Sequence, residues 1–257
     1  MDTKPVKTIG THCKMALTNR VALVTGASRG IGEAIALGYA AAGAHVVLAA
    51  RDMPRLNMVA TRITDAGGSC EVAILDVSEY STIGPVLDRV VERHGRLDIL
   101  CNNAGVSTAR GNVIDVSAEQ LARVLAVNVV GLHCCCKEAL PHMIKKGYGR
   151  IVNIGSGSAY MCNPGESAYS SSKAAVYAFT STLSKEIHES GILVNAMSPG
   201  SIRTDMNPAG PSPPTTAVPT AIWLASLPAN GPNGRFFRFD EEIPIVPTTH
   251  IDFGSNP

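Results

Sequence analysis

The chain has almost no net charge: 22 lysines and arginines stand against 21 aspartates and glutamates, +1 in all over 257 residues. No global field therefore draws it to nucleic acid or to an anionic membrane. No apolar run is expected to reach transmembrane length. The opening stretch M-D-T-K-P-V-K-T-I-G-T-H-C-K lacks the apolar core of a secretory signal. Seven cysteines are an odd number without framework spacing, which argues against a disulfide scaffold. Cys134, Cys135 and Cys136 are consecutive, so on a helix they point about 100° apart and cannot converge on one metal. The expectation is a cytoplasmic protein with reduced thiols packed as small hydrophobes and no metal site. There is no internal repeat and no linker.

What is present is a rhythm. Short apolar runs at 20–25, 45–50, 71–76, 97–102, 150–155, 192–197 and 235–239 alternate with longer helical stretches. The first six are apolar on both faces or nearly so, which suits parallel strands covered by helices. One intervening segment opens with Ser117 and Gln120, a capping-box pair, then places Leu121, Leu125, Leu132, Ala139 and Met143 near helical spacing. Repeated strand–helix–strand units predict an α/β fold, one Rossmann-type domain with a doubly wound parallel sheet of about seven strands. Its expected extent is 20–247, between a flexible leader (1–19, with a more natural start near Met15) and a flexible tail (248–257). Residues 207–219, with five prolines, are expected to be loop.

Two motifs carry chemistry. T-G-A-S-R-G-I-G (25–32) joins the first strand to a helix. Glycine permits close backbone approach there, and the helix aims its first amides at phosphate. Its spacing is G-x-x-x-G-x-G, which together with its position points to dinucleotide binding. Tyr169 and Lys173 stand four apart, on one face of a helix. Such a pair arises by chance in roughly one in five chains of this composition, so alone it is weak.

The motifs taken together resemble the short-chain dehydrogenase/reductase family: T-G-A-S-R-G-I-G, D-V (76–77), N-N-A-G (102–105), Asn128, Ser156, Y-S-S-S-K (169–173) and S-P-G-S-I-R-T (198–204), in that family's order and spacing over 20–206. The resemblance implies a catalytic set of Asn128, Ser156, Tyr169 and Lys173. Tyr169 would be the acid/base, Ser156 would steady the carbonyl oxygen, and Asn128 would hold a water in a relay to Lys173. An ammonium and an oxidised nicotinamide beside the phenol would bring its pKa down toward working pH. The resemblance also implies a cofactor surface. Gly26, Ser28, Arg29 and Ile31 would line the pyrophosphate and adenosine ribose, and Asp76 and Val77 the adenine. Asn102, Ala104 and Gly105 would pass under the cofactor, and Pro199, Gly200, Ile202 and Thr204 would hold the carboxamide side. Cys101, His133, Tyr160 and Tyr177 are read as structural.

The second strand ends Ala49, Ala50, Arg51, with no acid to accept a ribose 2′-hydroxyl. Arg29 and Arg51 suit a 2′-phosphate, so the expected cofactor is NADP(H); Asp52, two places past Ala50, keeps NAD(H) as the alternative. The ending, with T-D-M before the proline-rich stretch and W-L-A-S-L-P after it, resembles carbonyl reductases. It favours reduction of a small ketone or aldehyde over an acyl-carrier-protein substrate, with a 3-oxoacyl-acyl-carrier-protein-reductase-like enzyme kept as an alternative. It also weakens the case for the family's usual tetramer, leaving a homodimer through the helices of Asn128 and Tyr169 or a homotetramer. Gly157, Tyr160, Met161, Glu166 and Met206 would wall the substrate pocket. An NAD(H)-dependent alcohol dehydrogenase and a silent NADP(H)-binding sensor or scaffold are the rivals; all three of Tyr, Lys and Ser are present, against the latter.

Overall fold

The computed structural model describes residues 15–108 and 110–244. Its first half alternates β1 (Val21–Thr25), α1 (Gly30–Ala41), β2 (His45–Ala50), α2 (Met53–Asp65), β3 (Ser69–Ile74), α3 (Tyr80–His94) and β4 (Ile99–Asn102). Then come α4 (Ala118–Leu125), a π-helical turn (Ala126–Gly131), α5 (Leu132–Lys146), β5 (Gly149–Ile154), the short α6 (Ser158–Met161), α7 (Ser167–Glu186) and β6 (Ile192–Ser198). The chain closes with α8 (Val218–Ala225), β7 (Phe236–Arg238) and β8 (Glu241–Glu242). The strands form one sheet ordered β3-β2-β1-β4-β5-β6-β7-β8, parallel except for the last pair.

The sheet is wound on both sides because its central strands are apolar on both faces. β1, β4, β5 and β6 are buried along their whole length. On one face Ile35 and Tyr39 of α1, Leu56 and Val59 of α2, and Ile222 and Leu224 of α8 close a core. On the other, Ile83 and Leu87 of α3, Leu132, Cys135 and Met143 of α5, and Val176 and Leu183 of α7 do the same. Each such aliphatic side chain contributes about 1.5–3 kcal/mol relative to exposure. The order reverses between β1 and β4, so a crevice opens at the carboxyl ends of those strands, where open α/β sheets take ligands.

Several expectations need correcting. The third strand lies two residues earlier than predicted, and it is an edge strand pairing only with β2, so Ile74 is half exposed. An eighth strand follows a left-handed turn at Phe239; two exposed glutamates give no alternation by which to foresee it. The domain begins before Arg20. Leu17 is fully buried, its amide donates to Ala42 O, and Thr18 lies against Gly43. The rest of the expected leader, 1–14, and the tail, 248–257, lie outside the described residues. The proline-rich stretch is loop only to Pro213. Pro214–Ala217 form a 3-10 turn that runs into α8.

The Ser117–Gln120 capping box forms in both directions. Beyond it, Ala118–Lys146 is 29 residues long and apolar enough on average to pass for a membrane span, contrary to expectation. Its buried residues, including Val124, Leu132, Cys135, Ala139 and Met143, pack into the protein. Leu121 is exposed, since α4 buries Val124 rather than Leu121.

Candidate active site

The β1–α1 turn is built on glycines that nothing else can replace. Gly26 has φ +66°, and a Cβ there would lie 2.9 Å from Asn103 Nδ2. A Cβ on Gly32 would lie 2.3 Å from Gly26 O. Arg29, extended at the head of α1, gives the helix no side-chain cap, so its first amides stay open to a phosphate. The turn is held from below. Thr25 Oγ1 accepts from the amides of Asn103 and Ala104, each at 3.0 Å, and Asn103 Nδ2 donates to Thr25 O at 2.8 Å. Thr25 and Asn103 were not singled out in the sequence, although Asn103 sits inside the N-N-A-G motif. Its neighbour Asn102 faces inward, donating to Asn153 Oδ1 at 2.9 Å and to Cys136 Sγ.

Beside the turn, three guanidiniums gather among acids. Arg29 binds Asp205 at 2.5 Å, and Arg55 approaches the same carboxylate at 3.7 Å. Arg51 binds Asp76 at 3.2 Å. Asp76 also accepts from the Ser78 amide and hydroxyl. Burial would raise its pKa, but the bonds from Ser78 and Arg51 outweigh that and hold it below the usual range. Asp52 caps α2 by accepting from the Arg55 amide at 3.0 Å. Arg55 was missed; a place one helical turn past the N-cap of α2 was the available signal.

At the carboxyl ends of β4, β5 and β6 the remaining residues converge. Lys173 is buried, and its ammonium donates to Ile154 O at 2.8 Å. Burial pulls its pKa down to about 8. Its Nζ lies 5.7 Å from the centre of the Tyr169 ring. The Tyr169 phenol is pushed above its ordinary value, first by burial, with Ser156 opposing and the Glu166 carboxylate reinforcing. Burial thus outweighs the Ser156 bond, so the phenol goes up rather than down as expected, while the Lys173 ammonium is held by the β5 carbonyl.

Ser156 sits on a clamp. Its amide donates to Tyr177 Oη at 2.7 Å, and that hydroxyl donates back to Ser156 O at 2.6 Å. Gly155 makes room, since a Cβ there would lie 2.3 Å from the Tyr177 ring. Tyr177 was read as structural; its spacing eight residues after Tyr169, on the same helix face, was the signal of a larger part.

Asn128 lies in the π turn. Its Oδ1 accepts from the Val106 amide at 2.8 Å, and its Nδ2 donates to Val106 O and to Ser172 Oγ. The side chain thus ties the π turn to the N-N-A-G loop and to α7. Gly105 passes beneath it, 3.4 Å from Asn128 Oδ1 and 3.7 Å from Lys173 Nζ when measured from an added Cβ. Val77 packs against Gly131, the last residue of the same turn. Of the S-P-G-S-I-R-T residues, Thr204 sits over Gly30, Gly200 is left-handed at φ +83°, Pro199 is buried, and Ile202 is buried and bridged to Ser212. Ser28 and Ile31 are half-buried in the turn. At the outer rim, Tyr160, Met161 and Met206 are exposed, and Glu166 is bound to Arg110 and to Ser158 Oγ.

A family model described as short chain dehydrogenase matches residues 20–212. The oxidoreductase UcpA of Salmonella typhimurium is 38% identical over 253 residues, covering 93% of this chain and 95% of that one. The structure of a gluconate 5-dehydrogenase from Burkholderia cenocepacia, in complex with NADP and tartrate, is 30% identical. It superposes with a TM-score of 0.81 over 88% of this chain and 96% of that one. The structure of a 3-oxoacyl (acyl-carrier-protein) reductase from Agrobacterium tumefaciens, with NADP bound, is 29% identical, with a TM-score of 0.82 over 92% and 98% of the two chains.

Proposed function

The chain belongs to the short-chain dehydrogenase family and is an oxidoreductase, and from that premise we propose that it reduces a small ketone or aldehyde reversibly to an alcohol with NADP(H). The carrying observation is the convergence of half-buried Tyr169 and Ser156 with buried Lys173 at the strand ends beside a glycine turn whose helix amides are open. The residues fit a dinucleotide: an added Cβ would fill the cradle at Gly26 and Gly32. Gly26, Ser28 and Ile31 would hold its pyrophosphate, and Arg29, Arg51 and Arg55 a 2′-phosphate. Asp76 and Val77 would flank the adenine, the backbone of Asn102, Ala104 and Gly105 would pass under the cofactor, and Pro199, Gly200, Ile202 and Thr204 would lie on the carboxamide side.

When bound, the nicotinamide supplies the hydride. The chain's own residues handle the proton. Tyr169, its phenol kept protonated by burial, donates to the carbonyl oxygen as negative charge builds there. Ser156, fixed through its backbone by Tyr177, donates to the same oxygen. Lys173 supplies positive charge that stabilises the tyrosinate left behind. Because the Asn128 amide is bonded to Val106 and Ser172, its part is to hold the π turn against the N-N-A-G loop and α7, beside Lys173, where a relay water would sit.

The NADP-bound neighbours and the Asp52 cap support NADP(H) over NAD(H). A half-open apolar strip of Val129, Val130 and Phe179 on the helices of Asn128 and Tyr169 supports a dimer there. The free thiols of the described residues fit a cytoplasmic setting. The test is a panel of ketones, aldehydes, a 3-oxoacyl thioester and gluconate, followed by NADPH absorbance. Turnover of small carbonyls is expected. Turnover confined to the thioester or to gluconate would replace the substrate class.

A further inference from the structure

At the opposite edge of the sheet from Tyr169, three side chains from three elements meet. His45 opens β2, Glu71 lies in β3, and His94 ends α3. The register pairs His45 with Ser69 and Val47 with Glu71, so alternation puts His45 and Glu71 on the same face, the one that α3 covers. The two imidazoles lie with ring centres 4.2 Å apart. The Nε2 atoms of both are buried; His45 Nε2 has no hydrogen-bond partner, and His94 Nε2 has only its ion-pair approach to the Glu71 carboxylate. A ring nitrogen left so is costly to bury, unless something binds it.

We propose that His45 Nε2, His94 Nε2 and Glu71 Oε1 bind one divalent transition-metal ion, zinc by the donor set, with water as fourth ligand. One ligand atom from each of the three residues lies within 4.8 Å of the others. His94 Nε2 and Glu71 Oε1 are 3.3 Å apart, which is about the edge of a zinc tetrahedron with bonds near 2.0–2.2 Å. The groups behind the ligands are also placed as metal sites require. His45 Nδ1 is 2.7 Å from Ser69 Oγ; with its proton on Nδ1 the ring donates there and presents a bare Nε2. Arg93 binds the other carboxylate oxygen of Glu71 at 2.5 Å, which fixes Glu71 as a one-oxygen ligand. The ion would pin β3, the exposed edge strand, to β2 and α3. It would take no part in hydride transfer, being at the far end of the strands.

The experiment uses the untagged full chain stripped with chelator and then titrated with zinc chloride, with heat of binding and Tm as readouts. Binding of one ion and a Tm rise of about 5–10 °C at a hundred times Kd are expected. Both should vanish in His94→Asn and in His45→Gln, and both should persist in Cys162→Ser, which removes the exposed thiol of the described residues. Cobalt(II) should give visible bands without a sulfur charge-transfer band. No binding to the wild type, or binding retained in a folded His94→Asn or His45→Gln variant, overturns the proposal. So does a cobalt–thiolate signature or a loss of binding in Cys162→Ser.

Discussion

Replacing Tyr177 by phenylalanine keeps the ring that fills the space over Gly155 and removes one oxygen. That oxygen accepts from Ser156 N at 2.7 Å and donates to Ser156 O at 2.6 Å. Both backbone groups of a half-buried residue lose their partner at once. A buried polar group left unpaired costs about 1–3 kcal/mol, and Ser156 is near the low end because it is not fully buried. The expected loss is about 2–3 kcal/mol, or a Tm lower by about 4–12 °C for a domain of this size. The kinetic effect separates a clamp from a core residue. Complete loss of an oxyanion donor costs about 10²–10³ in kcat. Loosening the peptide that carries the Ser156 hydroxyl is expected to lower kcat about tenfold, with KM for NADPH unchanged. Leu183→Ala, elsewhere on α7, is the control; it should lose about 2–5 kcal/mol of stability and keep its kcat well below its Tm. A normal kcat in a destabilised Tyr177→Phe would reduce Tyr177 to packing. An equal fall of kcat in Leu183→Ala would mean that any softening of α7 suffices.

Three further outcomes follow from the same geometry. A charged hydrogen bond is worth about 1.5–3 kcal/mol, so Arg51→Ala and Arg55→Ala should each lower NADPH affinity about tenfold to a hundredfold and leave NADH binding nearly untouched. A ratio of catalytic efficiencies that does not move in either variant leaves the phosphate to Arg29 alone. Lys173 has a folded pKa of about 8 against 10.5 unperturbed. Between those values the unfolded chain holds the extra proton, so this group makes stability rise with pH there, by about 3 kcal/mol across the window. Lys173→Met should lack that rise and be inactive; denaturant melts of both proteins from pH 7 to 10.5 measure the difference. The same ionisation should make kcat/KM for carbonyl reduction fall above about pH 8, and a profile flat to pH 10 would count against a role for the ammonium.

Much of this was legible before the fold was seen. The central strands announced themselves as consecutive apolar residues, and the glycine turn by its place after the first of them. Tyr169 and Lys173 were legible because helical spacing forces them onto one face. The rest depended on contacts between distant segments. The π turn at Ala126–Gly131 carries no sequence mark that separates it from an α-helical turn; it accompanies an Asn128 side chain that reaches Val106, a partner set only by the loop after β4. Leu17 looks like part of a polar leader until Ala42 takes its amide. Asp52 reads as a free acid near the ribose, and only the start of α2 turns it into a cap. His45, Glu71 and His94 are scattered singles that the β2–β3 register and the end of α3 bring together.

The central claim is that the Tyr169 phenol donates the proton. Single-turnover reduction of a small ketone or aldehyde from the panel, by the wild type and by Tyr169→Phe, tests it directly when NADPH binding is followed by fluorescence in parallel. The phenyl ring keeps the packing, so NADPH should bind as before, while the rate should fall by about 10²–10⁴, the range for a positioned acid. A Tyr169→Phe rate within a few-fold of wild type, with binding intact, would contradict the assignment and move the proton to another group.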